Sequence, residues 1–285
     1  MKTAFLTFEQ FHGKKDIGSS RIRAHWVVKY WQEAGVDIGE AEIFRYGANY
    51  DAVIFQKAYF LPYAKAFKGV KILDLCDPDW FDWGVPLIEM INEVDAITCS
   101  SMHLVKAISK FTDKPVYFVP DRVDLGVLPE PKKHIGPTKK IVWFGYPQNF
   151  SILNSAIKLL SDLGLELIVI STDVYIPPAA FNIKVTNYPW SANHMKDIQS
   201  GDVVINPKHG KGKWKFKSDN KTSISQALGM PVAHDADELK ALLTEEARVN
   251  AATEGLAYVK ANRDVKDSVV DYKDIIQEVL KGRVI

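Results

Sequence analysis

Six lysines, Lys208, Lys211, Lys213, Lys215, Lys217 and Lys221, fall within fourteen residues. They follow the apolar run DVVINP and precede SISQALGMPV. The net charge of the whole chain is only +1. No global field therefore draws in a polyanion, and any anion site must be local. DVVINP reads as a strand, so the lysines leave its carboxyl end, where open α/β sheets hold their ligands. Ser218 and Asp219 are candidate caps for the helix that follows. Ile224, Ala227 and Leu228 form its apolar stripe, and Gly229 with Pro231 marks its stop. A helix N-terminus offers unpaired N–H groups and partial positive charge, which suit a phosphate. Lys221 lies in the first turn, where a cation opposes the helix dipole unless an anion binds there. The alternative is a solvated lysine loop that keeps a sheet edge soluble. The coincidence of charge, cap and sheet edge favours phosphate binding.

A second group could handle protons. Asp77 and Asp79 follow the strand-like run KILDLC. A carboxylate past a strand end can serve as a general base. His12 and Asp16, in the first loop, are placed for the same role. Each of the four is also a reasonable turn residue or helix cap. Gly18, Ser19, Ser20 and Arg21 form another helix start with cations nearby. Arg21 and Arg23 are candidates to meet an anion, or else to form surface ion pairs.

The elements that must position these groups alternate along the chain. TAFLTF, AVIFQK, KILDLC, AITCS and VYFVP read as strands, separated by helical patterns such as SRIRAHWVVKYWQEAG. Near-continuous apolar strands between helices predict a parallel sheet covered on both faces. The stretch from Gly126 to Lys140 has three prolines and no apolar periodicity, so it reads as a linker. Alternation then resumes with KIVWFGY, ELIVIST, NIKVTNY and DVVINP. The expected fold class is therefore α/β, with two Rossmann-like parallel-sheet domains facing a cleft. The expected boundaries are 1–125, a linker at 126–139, a second domain at 140–264, and a final helix at 265–285 that packs back on the first domain.

The chain's 285 residues suit two domains, and 47% hydrophobic with 25% charged residues is ordinary for a globular protein. Cys76 and Cys99 sit in apolar runs without metal-ligand spacing, which reads as buried thiols in a reducing compartment. The apolar run at the N-terminus is too short for a signal peptide, and no run is long enough to span a bilayer. A cytoplasmic location is expected. There is no G-x-G-x-x-G after a strand, no Walker motif, no G-x-S-x-G and no C-x-x-C.

KSDNKTSISQALGMPV resembles the donor-site segment of glycosyltransferases with the GT-B fold, of the family 4 type. In that segment a Ser-Asp/Asn-Lys run opens a helix that ends in Ala-x-Gly-x-Pro-Val. Other segments follow in the family's order: SSRIRA, DAVIFQK, DLCDPDW, AITCSS, VPDRVD and IVWFGYPQN. The resemblance implies glycosyl transfer from a nucleotide-diphosphate sugar, with no cofactor. Lys221 is then the first choice for stabilising the leaving diphosphate, supported by Lys217. It also implies donor contacts from Gly145, Tyr146, Ser218, Asp219 and Asn220, with Tyr188 and Trp190 near the nucleotide base. Asp77 becomes the candidate base, and Ser20, Arg21 and Asp79 candidate acceptor or phosphate contacts.

The departures are specific. The glutamates usual in the family fall at Phe216 and Ile224, and the arginine after the first donor-domain glycine is absent: Tyr146, Pro147, Gln148 and Asn149 follow Gly145. Trp80, Phe81 and Trp83 could stack on a sugar ring or a base, or cover the core. Two readings stay open, an active glycosyltransferase and a degenerate relative that binds a nucleotide sugar or polyanion without turnover. The acceptor is equally open among saccharide, small molecule, protein and nucleic-acid base.

Overall fold

The computed structural model describes all residues except 14–16, 36–38, 192, 208–211 and 284–285. Asp16, Lys208 and Lys211 therefore lie outside the described residues. The chain divides into two compact units. The first comprises Met1–Asp124, Lys211–Asn220 and Arg263–Ile285; the second comprises Leu125–Gly210 and Lys221–Asn262. The division does not follow the chain. Residues expected in the second domain, 212–220, cluster with the first unit. Phe216 supplies the physical reason, because its side chain is buried in the first unit's core.

The first unit holds a six-stranded sheet in the order β2-β1-β3-β4-β5-β6. Its strands are β1 (Lys2–Thr7), β2 (Glu40–Ile43), β3 (Ala52–Gln56), β4 (Val70–Leu75), β5 (Ala96–Cys99) and β6 (Val116–Phe118). Every pairing is parallel. Alternate residues feed two cores. Leu6, Val53, Phe55, Leu73 and Ile97 point to one, and Phe5, Ile54, Ile72 and Ala96 to the other. Covering both faces requires strands without polar alternation, and β3 is buried along its whole length. The Val265–Arg283 helix places Val265, Val269, Tyr272 and Ile276 in the second core. That spacing is one face of a helix.

The second unit holds a five-stranded parallel sheet in the order β11-β10-β7-β8-β9. These strands are β7 (Lys140–Phe144), β8 (Glu166–Ser171), β9 (Val185–Pro189), β10 (Val203–Ile205) and β11 (Val232–Ala233). Strand order reverses at β1/β3 in the first unit and at β7/β10 in the second. Such reversals leave a crevice at the carboxyl ends of the strands, the usual ligand position in open α/β sheets. Among the described residues no helix is long and apolar enough to cross a membrane.

Candidate functional site

In the first unit the reversal point is occupied by a lysine that the sequence reading passed over. Lys57 directly follows β3 and adopts φ 51°, the one positive φ at a non-glycine position among the described residues. A side chain in this region carries a strain of roughly 1–3 kcal/mol, which the surroundings must impose. Its ammonium ends a side chain that is 6% exposed. It lies 2.7 Å from Asp77 Oδ2 and 3.0 Å from Asp79 Oδ1. It also sits 4.8 Å from the Phe8 ring centre and 5.7 Å from that of Trp83. Burial works against its charge, but Asp77 and then its other neighbours override this and raise its pKa. Lys57 is therefore a fixed cation.

The two aspartates experience that cation differently. Asp77 also accepts from Lys217 Nζ at 2.5 Å. Burial would raise its pKa, yet Lys57 and Lys217 hold it well below the usual carboxylate range. Asp79 is 5% exposed and accepts from Tyr59 Oη at 3.2 Å. Burial pushes its carboxyl up to about 6, with the Asp77 charge adding to the shift and Lys57 opposing it. Two carboxylates on one lysine are thus pushed apart in basicity, the pattern by which a site separates a permanent anion from a proton carrier. The neighbouring Cys76 thiol is pushed up by burial and then by Asp77, and stays protonated.

Several residues singled out in the sequence have structural partners. Ser20 is fully buried and donates to Gln56 Oε1 at 3.0 Å. Its hydroxyl also accepts from the Glu9 N–H at 3.3 Å. Arg23 is buried, bonded to Asp74 at 2.5 and 2.7 Å, to Asp121 at 2.8 Å and to Tyr272 at 3.1 Å. It belongs to a core network and forms no surface ion pair. Ser218 donates to Asp121 Oδ2 at 2.5 Å. Arg21 begins a π-helical turn, Arg21–His25, and lines a shallow hollow with Glu9, His25, Trp26 and Lys29. His12 packs against Phe8 and Trp83, with ring centres 4.3 and 5.6 Å away.

In the second unit the reversal point lies beside Gly145. The predicted helix is present as Asn220–Ala227, with Lys221 in its first turn and Asp219 exposed just before it. Lys221 reaches over the end of β7. Its Nζ is 4.5 Å from the Trp143 ring centre and 5.8 Å from that of Phe144. Gly145 has φ 153°, and a Cβ there would stand 2.6 Å from Lys221 Nζ. Glycine thus leaves room for the ammonium at the strand end. Thr222, one residue on, is held by Asn206 at 3.1 Å and faces His234 Nε2 at 3.0 Å, whose other nitrogen lies 2.8 Å from Glu238. Tyr146 is 44% exposed and Tyr188 37% exposed. Trp190 stacks on His194 with ring centres 4.2 Å apart. At the positions of the expected glutamates, Phe216 is buried in the first unit's apolar core and Ile224, half-buried, packs against the second unit's.

The structure thus gathers Asp77, Asp79 and Lys217 in one unit and Lys221 with Gly145 in the other. Lys57 and Gln56 went unremarked because AVIFQK reads as an ordinary strand. The available signal was the polar pair Gln56-Lys57 directly after the apolar run AVIF.

No protein-family model matches the chain, and no curated protein matches it. Solved structures do. AviGT4, a glycosyltransferase involved in avilamycin A biosynthesis, is 13% identical with a TM-score of 0.61, over 99% of this chain and 98% of its own. The DNA-modifying enzyme β-glucosyltransferase, whose substrate is uridine diphosphoglucose, is 13% identical with a TM-score of 0.59, over 99% and 100%. TarM is 10% identical with a TM-score of 0.55 over 88% of this chain, which spans only 57% of TarM. At these identities the likeness shows the fold alone: two Rossmann-like units of the GT-B class.

Proposed function

We propose that the chain transfers a sugar from a nucleotide-diphosphate sugar, held by the second unit, to an acceptor held by the first. The observation that carries this reading is Lys221 drawn over the end of β7 into the space left by Gly145. A cation, a helix N-terminus and a side-chain-free turn together suit a diphosphate. As the glycosidic bond breaks, charge grows on the leaving diphosphate. Lys221 and the helix N–H groups then stabilise the transition state more than the ground state. Gly145 and Tyr146 complete the phosphate side, with Tyr188 and Trp190 at the base. The KSDNKTSISQALGMPV segment supports a family 4 type of donor site. The nucleotide sugar used by β-glucosyltransferase supports the donor class.

On the acceptor side we assign the proton to Asp79 rather than Asp77. Asp77 is clamped between Lys57 and Lys217 and is a poor base. Asp79 has one lysine and a tyrosine hydroxyl and is buried. The buried free thiols Cys76 and Cys99 support a reducing compartment.

The test is release of nucleoside diphosphate from a panel of nucleotide sugars, with water as the default acceptor. Turnover that falls at least tenfold in Lys221→Ala, with the fold intact, supports the reading. Turnover indifferent to Lys221 sinks it. A second reading, a binder without turnover, is favoured by one observation: apolar Phe216 and Ile224 leave no carboxylate at those two positions. Calorimetric binding of a nucleotide sugar with no diphosphate release from any donor would select it.

A further inference from the structure

We infer that the first unit takes a single strand of nucleic acid as its acceptor, with bases stacked on exposed aromatic rings and phosphates paired with lysines. This names the acceptor for the transfer proposed above and rests on that reading for the chemistry, though not for the binding. Three large rings around the Lys57 site are left in water: Phe11 is 38% exposed, Trp83 50% and Phe81 55%. Trp83 is braced from within. Its ring centre lies 5.2 Å from that of Phe8 and 5.6 Å from that of His12, and the Lys57 ammonium sits at 5.7 Å. A braced, half-exposed indole loses little freedom when a flat ligand settles on it.

Beside the rings runs a segment in which cation and aromatic alternate, Lys213-Trp214-Lys215-Phe216-Lys217. Phe216 is its anchor, with its ring 5.8 Å from Phe81 and 5.9 Å from Trp80. That anchor holds Lys215, whose ammonium is 4.7 Å from the Phe216 ring centre, next to the exposed Phe81. Lys217 reaches Asp77 at 2.5 Å, which joins the basic segment to the carboxylate pair. Trp83 through Lys57, Phe81 and Lys215 through Phe216, and Lys217 through Asp77 are thus linked to one site.

The combination selects the ligand. A neutral saccharide uses rings but not a row of lysines. An acidic polysaccharide uses lysines but has no flat faces for three rings. A nucleic-acid strand uses both, base faces on aromatic rings and phosphates on cations. A single strand is favoured over a duplex because paired bases must leave their stack before a protein ring can take them.

The experiment is fluorescence anisotropy of a labelled mixed-sequence oligodeoxynucleotide of about 15 nucleotides, titrated without donor at several salt concentrations. Wild type should bind, with affinity falling steeply as salt rises. Lys213→Ala with Lys215→Ala should reduce the logarithmic salt slope by about 1.4, at about 0.7 per phosphate contact on a single strand. Trp83→Ala should weaken binding roughly five- to 150-fold at unchanged slope, and Trp83→Phe should keep most of it. Phe81→Ala gives an independent ring variant should Trp83→Ala fail to fold, as judged by thermal melting. Absence of binding at low salt overturns the inference. So does equal affinity for the matching duplex, equal competition by heparin, or a lysine effect with no effect of either ring. Because no sugar donor is present, failure here leaves the diphosphate-release test standing and vice versa.

Discussion

The ammonium of Lys57 stands 3.0 Å from the carboxylate of Asp79, and both residues are 5% exposed. The pair is incomplete as a charge balance, since Asp77 takes the same lysine at 2.7 Å. Two anions on one buried cation cannot both be comfortable, and Asp79 gives way.

Replacing the lysine should therefore be costly. Lys57→Met removes the shared cation, strands Asp79 and leaves Asp77 to Lys217 alone, a loss of about 3–5 kcal/mol for a broken buried pair. The loss should be smaller at pH 5 than at pH 8, because Asp79 is mostly protonated below about 6. Urea unfolding at the two pH values measures it. A loss that does not change with pH would mean that Asp79 remains charged throughout.

The backbone at Lys57 can be tested apart from its charge. Alanine normally replaces glycine with a gain in stability. At φ 51° the order should reverse, with Lys57→Gly more stable than Lys57→Ala by about 1 kcal/mol. Equal midpoints of denaturation would show that the conformation is unstrained.

If Asp79 accepts the proton, kcat/KM should rise with pH through about 6 and level off above it. Stability linked to the same group runs the other way. Its folded pKa is raised, so the native state holds the extra proton, and stability declines as pH rises from about 3.8 to about 6. Asp79→Asn should abolish the rising limb of the rate and flatten the stability slope together. A rate limb that survives in Asp79→Asn would move the base elsewhere.

Gly145→Ala puts a methyl group 2.6 Å from Lys221 Nζ and 3.1 Å from the Trp143 ring. The flexible ammonium should yield first, so nucleoside-diphosphate affinity should fall about tenfold, or about 1.4 kcal/mol, while free nucleoside binds as before. Calorimetry with both ligands decides it. Equal weakening of both would point to a general collapse of the strand end.

Arg23→Met should destabilise the fold by about 3–5 kcal/mol at neutral pH, since Asp74 and Asp121 lose their shared cation. Arg23→Lys should not restore it, because one ammonium cannot reproduce the bonds to Asp74, Asp121 and Tyr272. A lysine variant as stable as wild type would contradict this.

Much of the architecture is legible in the chain. Apolar strands alternating with helical patterns announce parallel sheets, and KSDNKTSISQALGMPV carries the start and the stop of its helix. What escaped depends on neighbours distant in sequence. Lys57 acquires its role because β3 lies beside β4, which brings Asp77 and Asp79 to its ammonium. Arg23 looks like a surface cation until Asp74, Asp121 and Tyr272 enclose it. Ser218 looks like a helix cap until Asp121 is placed beside it. Lys217 reads as a phosphate ligand because it precedes a helix, yet Phe216 beside it is buried in the first unit's core.

The first unit is assembled from three stretches of chain, the last beginning at Arg263. A ribosome making this protein releases β1 to β6 long before Tyr272 and Ile276 exist to cover one face of their sheet. Until then Phe5, Ile54 and Ile72 have no helix from that stretch above them. The nascent sheet must wait, exposed or chaperoned, while the whole second unit is synthesised. Stalling translation before Arg263 should therefore leave a product that aggregates, and a genetic cut at the unit boundary should not yield two soluble halves.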